Sequence, residues 1–127
     1  MSEVLVLETK REAEEKAKQI PEPTGFHLLC MVPQIDSTYK SGLVKADETV
    51  RVESQTTIVL FVVKTGPDAY ADKTRFPSGP WCKTGDFIIT RAYAGTRVKI
   101  HGTEFRLIND DTVEAVVQDP TGIVRAG

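Results

Sequence analysis

The feature that most constrains this chain is a change of apolar period at Gly25. Beyond it, Leu28-Leu29-Cys30-Met31-Val32 and Ile58-Val59-Leu60-Phe61-Val62-Val63 are apolar on both alternating faces. A strand carries apolar side chains on both sides when both are covered, inside a closed barrel or between packed layers. Phe87-Ile88-Ile89 is a third short run. Val98 and Ile100 alternate with Arg97 and Lys99, His101-Gly102 marks a turn, and Phe105 and Leu107 alternate again. That is the pattern of a hairpin with one wet face. Val113 to Val117 reads as a last strand, stopped before Pro120. Six or so short strands with glycine-rich turns predict an all-β chain folded as a small β-barrel.

Residues 1–24 form a charged N-terminal extension of helical character. Thr9 and Glu12 have the spacing of a capping box, Glu12 faces Lys16, Glu14 faces Lys18, and Pro21 ends the run. Ala13, Ala17 and Ile20 make only a narrow apolar stripe, which suits a solvated or loosely docked helix, or else an arm that binds a partner. The barrel occupies residues 25–118, and 119–127 form a tail. Two stretches do not fit a compact barrel: about 36–54, polar apart from Gly42-Leu43-Val44, and about 66–80, rich in Gly, Pro and Asp. Structureless connections of that length are uncommon in compact domains and are usually functional or disordered.

Composition excludes several classes of function. Sixteen basic and eighteen acidic residues leave a formal charge of −2, too near balance for a nucleic-acid binder or a surface for anionic membranes. No apolar run approaches the roughly 20 residues of a membrane span, and no export signal precedes Val4-Leu5-Val6-Leu7, so a cytoplasmic protein is expected. In that compartment Cys30 and Cys82 are expected as buried free thiols. His27 and Cys30 point to opposite faces of one strand and only His101 offers itself as a further ligand, so no metal site is expected. Pro77 to Thr84 echoes a phosphate loop, but Pro77 and Cys82 stand where it needs glycine. Asp110-Asp111 has the chemistry of a turn, and no nucleophile, base and acid come together. The chain is expected to be no enzyme and to hold no cofactor.

One family accounts for the odd loops. Cys82-Lys83-Thr84-Gly85-Asp86-Phe87-Ile88-Ile89 resembles the Lys-x-Gly-Asp-x-Val segment of the GroES-like co-chaperonins. Tyr93-Ala94-Gly95-Thr96, the hairpin through Gly102 and Phe105, and Asp110-Asp111-Thr112-Val113-Glu114-Ala115-Val116-Val117 continue the resemblance in order. Upstream, Val62-Val63-Lys64-Thr65-Gly66-Pro67 is similar to the family's Val-x-x-Val-Gly-Pro stretch, and Lys40-Ser41-Gly42-Leu43-Val44 falls where the family carries its mobile loop. Phe26-His27-Leu28-Leu29 replaces the family's Pro-Leu-x-Asp-Arg-Val opening, and Lys45 stands where a third aliphatic residue is common. This divergence looks more like the phage-encoded members, which would work in a host cytoplasm, than the housekeeping form.

The resemblance implies a ring of seven copies that caps a large GroEL-like chaperonin and encloses an unfolded client in an ATP-dependent cycle. The ATP would be bound by the partner, since this chain has no nucleotide motif. Gly42, Leu43 and Val44 would form the loop tip that enters an apolar groove of the chaperonin. Residues 66–80 would be a roof over the ring's centre, where Tyr70 and Phe76 either pack or cover the barrel end. Subunits would join through strands read as edges at both chain ends: Leu28, Cys30 and Val32 on one, Val113, Ala115 and Val117 on the other. Burying Leu43 and Val44 would contribute about 1.5–3 kcal/mol each, whereas fixing five backbone residues costs about 5–10 kcal/mol. One loop alone is therefore weak, and several on one ring bind together at high effective concentration. Lys45 and the N-terminal extension also suit an alternative, a GroES-fold structural or assembly protein, for example of a virion, without chaperonin activity.

Overall fold

The computed structural model describes residues 18–33 and 57–126. Six strands form one antiparallel sheet: β1 (His27–Met31), β2 (Val59–Thr65), β3 (Phe87–Ile89), β4 (Thr96–Ile100), β5 (Thr103–Asn109) and β6 (Ala115–Val117). A 3₁₀ turn, Asp110–Thr112, leads from β5 towards β6. The strand order is β4-β5-β1-β2-β3-β6. The sheet wraps a core of Leu28, Cys30, Val32, Leu60, Val62, Ile88, Ile108 and Val113, the small all-β barrel that the two-faced apolar runs predict. No helix among the described residues is long and apolar enough to cross a membrane.

The β4–β5 hairpin turns at His101-Gly102, both with positive φ (47° and 82°). That is the type I′ geometry whose twist matches the strands it joins. Arg97 and Lys99 of β4 are exposed while Val98 and Ile100 are half-buried, as the alternation predicts. On β5 the expectation of a wet face is corrected. Arg106 and Ile108 pair with Cys30 and Leu28, so they share the core side of the sheet, and both are buried. Phe105 and Leu107 take the other side, where Phe105 is buried as well. Side chains on both faces of β5 are therefore buried, while its place between β4 and β1 pairs both of its edges.

The expectation that Leu28 to Val32 forms an edge is likewise corrected. β1 is hydrogen-bonded on both sides, to β2 and to β5. An apolar run cannot distinguish an edge from a centre, but fully buried Leu28, Leu29 and Cys30 fit the centre. The edges are β4 and β6.

The segment from Gly66 to Pro80 is folded onto the barrel end. Tyr70 and Phe76 are buried in the core cluster, meeting edge to face at 4.9 Å, and half-exposed Trp81 packs edge-on against Phe76 at the same distance. Of the N-terminal extension, residues 1–17 and their helical pairs lie outside the described residues. Its described end is tied down: Gln19 hydrogen-bonds His101, Glu22 pairs with Lys64, and Pro23 is buried.

Candidate partner-binding site

Gly42, Leu43 and Val44 lie outside the described residues, within the stretch 34–56. The points where that stretch leaves and rejoins the barrel are described, and they meet on β5. The Val32 amide donates to the Glu104 carbonyl at 3.0 Å. Arg106 Nη1 donates to the Thr57 carbonyl at 3.4 Å, and its Nε bonds Glu104 Oε2 at 3.0 Å. β2 then carries the chain away from Thr57 to Gly66, where the folded segment 66–80 begins. Seven residues of strand put about 20 Å between the two ends, so the barrel bears its two long connections at opposite ends.

At the second end, Tyr70 is the organising side chain. Its amide donates to Asp110 Oδ2 at 3.0 Å and its hydroxyl to the Asp110 carbonyl at 2.8 Å. Arg75 pairs with Asp111. The Asp110 amide donates to the Phe26 carbonyl at 3.1 Å, joining the start of β1 to the same turn. Asp110 and Asp111 therefore fasten segment 66–80, a role beyond the turn chemistry legible in the sequence. Tyr70 holds a left-handed backbone (φ 58°), a strained conformation kept because the two bonds to Asp110 over-determine it.

The sequence motifs prove to be barrel joints. In Lys83-Thr84-Gly85-Asp86, Asp86 Oδ2 accepts from the Lys83 amide at 3.0 Å, and the Gly85 amide and Asp86 carbonyl bond the Val62 backbone. The motif thereby sets β3 beside β2. Gly95, in the Tyr93-to-Thr96 turn, sits against β5: a Cβ there would lie 2.3 Å from the Leu107 carbonyl oxygen.

Over 97 residues the chain is 33% identical to the co-chaperonin GroES of Caldicellulosiruptor saccharolyticus, a match spanning 76% of this chain and 96% of that relative. The co-chaperonin GroES of Caldicellulosiruptor bescii matches at the same identity and coverage. The chain belongs to the GroES co-chaperonin family. The co-chaperonin GroES of Clostridium botulinum is 27% identical over 96 residues, again 96% of its length. No family model matches the chain. A co-chaperonin role follows, and the relatives are named as co-chaperonins rather than as enzymes.

Among the residues expected at subunit contacts of this co-chaperonin, Leu28, Cys30, Val32 and Val113 have their side chains in the core. Ala115 is exposed and Val117 half-buried, both on the edge strand β6, with Val116 exposed between them. The two edges differ in kind. β4 presents Arg97 and Lys99, which discourage strand pairing, while β6 is short and uncharged.

Cys30 and Cys82 are buried free thiols. Burial first, then the nearby Cys82, pushes the Cys30 thiol from 9.0 up to about 12. Burial also raises Cys82 and the Tyr70 phenol, whose hydroxyl lies 3.4 Å from Cys82 Sγ. All three hold their protons more tightly in the fold than in the unfolded chain, where they lose them at ordinary values. The unfolded state therefore binds fewer protons at alkaline pH, and stability that is complete below about pH 9 is lost as the pH rises. For Cys30 the window runs from 9.0 to about 12, with a slope of up to about 1.4 kcal/mol per pH unit for each group. Thermal midpoints are expected to stay level to about pH 8.5 and to fall steeply above it, less steeply in Cys30→Val. A level profile through about pH 11 would contradict this account.

Proposed function

We propose that this co-chaperonin works as a ring-shaped lid that closes the chamber of a large GroEL-like chaperonin, in a cycle driven by ATP bound to that partner. The observation that carries the reading is the 33% identity running through 96% of a GroES co-chaperonin's length. The barrel's layout supports it. Residues 34–56, with Gly42, Leu43 and Val44, spring from one end, while the compact 66–80 segment caps the other. In the proposed ring Gly42, Leu43 and Val44 touch the chaperonin and residues 66–80 form the roof. Neighbouring copies join by head-to-tail pairing that includes the uncharged β6 edge, Ala115 to Val117, and closure of that pairing makes the ring. Seven copies are proposed on the family resemblance.

The test is co-elution of the full chain with a purified bacterial chaperonin ring, with and without ATP, alongside the mass of the free protein. ATP-dependent co-elution of a ring is expected. A free protein that ran as a monomer would remove multivalent capture, and the lid reading with it.

A further inference from the structure

We propose that the outer face of β1 and β5 is a binding groove for an extended peptide carrying an apolar residue, proline, an acid and proline in turn, and that this chain fills it with its own Ile20-Pro21-Glu22-Pro23.

The sheet has a second buried face. Leu29 is fully buried and Phe105 nearly so, yet neither belongs to the core cluster around Leu28 and Cys30. Successive strand residues point to opposite faces, so both look away from that core. Leu29 lies opposite Leu107, and Phe105 lies opposite Met31 and half-buried Val98. Apolar side chains on an outer face stay dry only beneath a cover.

Residues 19–23 lie across that face. Glu22 pairs with Lys64, which stands opposite Leu29 on β2. Gln19 bonds His101 at the β4–β5 turn. The strand order places β1 between β2 and β5, so the chain between these two clasps crosses β1 to reach β5. Ile20 and Pro21 are half-buried there and Pro23 is buried. The crossing segment is not a strand. Its two prolines lack the amides a ladder would need, so recognition falls to side chains. Prolines also fix φ in advance and lower the cost of ordering, which is how apolar grooves take extended proline-bearing segments. Lys64 reads the acid, and the Leu29–Phe105 face takes the apolar residue and the prolines. Both clasps are exposed, and exposed polar contacts hold weakly. A segment held this lightly gives way to a peptide of the same chemistry from another molecule.

The experiment uses the full chain with Ile20→Ser and Pro23→Ser together, which empties the groove. The probe is a fluorescein-labelled peptide of residues 18–24, followed by anisotropy. Saturable binding to this variant is expected with a dissociation constant below about 1 mM. Binding to the parent chain is expected to be about tenfold weaker or more, because its own segment competes at high effective concentration. Adding Lys64→Glu to the emptied variant is expected to weaken binding about fivefold, with circular dichroism unchanged. If the double variant does not fold, Glu22→Lys serves, since it sets like charges together and keeps every apolar anchor. It is expected to bind the peptide about twofold better than the parent chain or more.

Absence of saturable binding to the emptied variant would overturn the proposal. So would a parent chain that binds the peptide as tightly as the emptied variant or Glu22→Lys does, because the segment would then not fill the groove. Binding indifferent to Lys64→Glu would overturn it as well, since the peptide would then sit elsewhere.

Discussion

Leu43→Asp is expected to abolish ATP-dependent capture by a chaperonin ring while leaving the fold and the mass of the free protein unchanged. Each tip would lose about 1.5–3 kcal/mol of apolar burial, and a carboxylate would have to enter an apolar groove, where an uncompensated charge is strongly disfavoured. Because the ordering cost of the segment, about 5–10 kcal/mol for five residues, equals or exceeds what one tip gains, no single tip has a margin to lose. Multivalency then works in reverse. Every tip carries the substitution, so the loss recurs at each contact and capture disappears rather than weakening. Leu43→Met, which keeps apolar volume, should retain capture. Co-elution at micromolar concentration with circular dichroism of the free variant checks both halves, and undiminished capture by Leu43→Asp would remove Gly42, Leu43 and Val44 from the site.

Much of the barrel is legible in the sequence because its interior strands are covered on both sides. Leu28, Leu60 and Val62 stand in runs without polar interruption and are fully buried. His101-Gly102 is legible because a two-residue hairpin turn with positive φ at both positions favours such residues. The order of the strands is not written locally. β1 pairs with β2 and β5, which lie far along the chain, and no local pattern distinguishes that central place from an edge. The phase of β5 was hidden for a different reason. Thr103 to Asn109 alternates so that Arg106 looks like the solvent side, and its bonds to Glu104 and Thr57 help make its burial tolerable. Glu104 is a local neighbour two residues along the strand, but Thr57, 49 residues away, becomes one only through the fold. The same holds for Asp110, whose hydrogen bonds to Tyr70 span 40 residues.

Both ends of the barrel carry polar fastenings, but among the described residues the aromatic cluster lies at one of them. At the 66–80 end, Tyr70 and Phe76 are sunk in the core and Trp81 lies over them, which suits a fixed cap. At the other end the described residues offer a charged pair and backbone carbonyls at the roots of 34–56. An aromatic cluster anchors by volume. A fork of hydrogen bonds anchors by direction.

Gly66→Ala is expected to be strongly damaging, lowering stability by more than about 3 kcal/mol. A Cβ on Gly66 would lie 2.4 Å from the Gly25 carbonyl oxygen and 2.9 Å from that of His27. Both obstacles are backbone, so no side chain can swing aside. The two strands would have to part, and the bonds at the same joint would stretch with them: Gly66 amide to His27 at 2.8 Å and Asp68 amide to Gly25 at 2.9 Å. Each is worth about 0.5–1.5 kcal/mol, and the displaced segment also carries Tyr70 into the core. Against a total stability of about 5–15 kcal/mol, a loss of this size corresponds to a fall of roughly 10–20 °C in thermal midpoint. Gly79→Ala is the control, because its Cβ meets nothing within 4 Å and only its φ of +91° opposes the substitution. That strain costs about 1–2 kcal/mol, so Gly79→Ala should melt well above Gly66→Ala. Equal melting of the two would mean that the close approach at Gly66 does not set the joint between β2 and the start of β1.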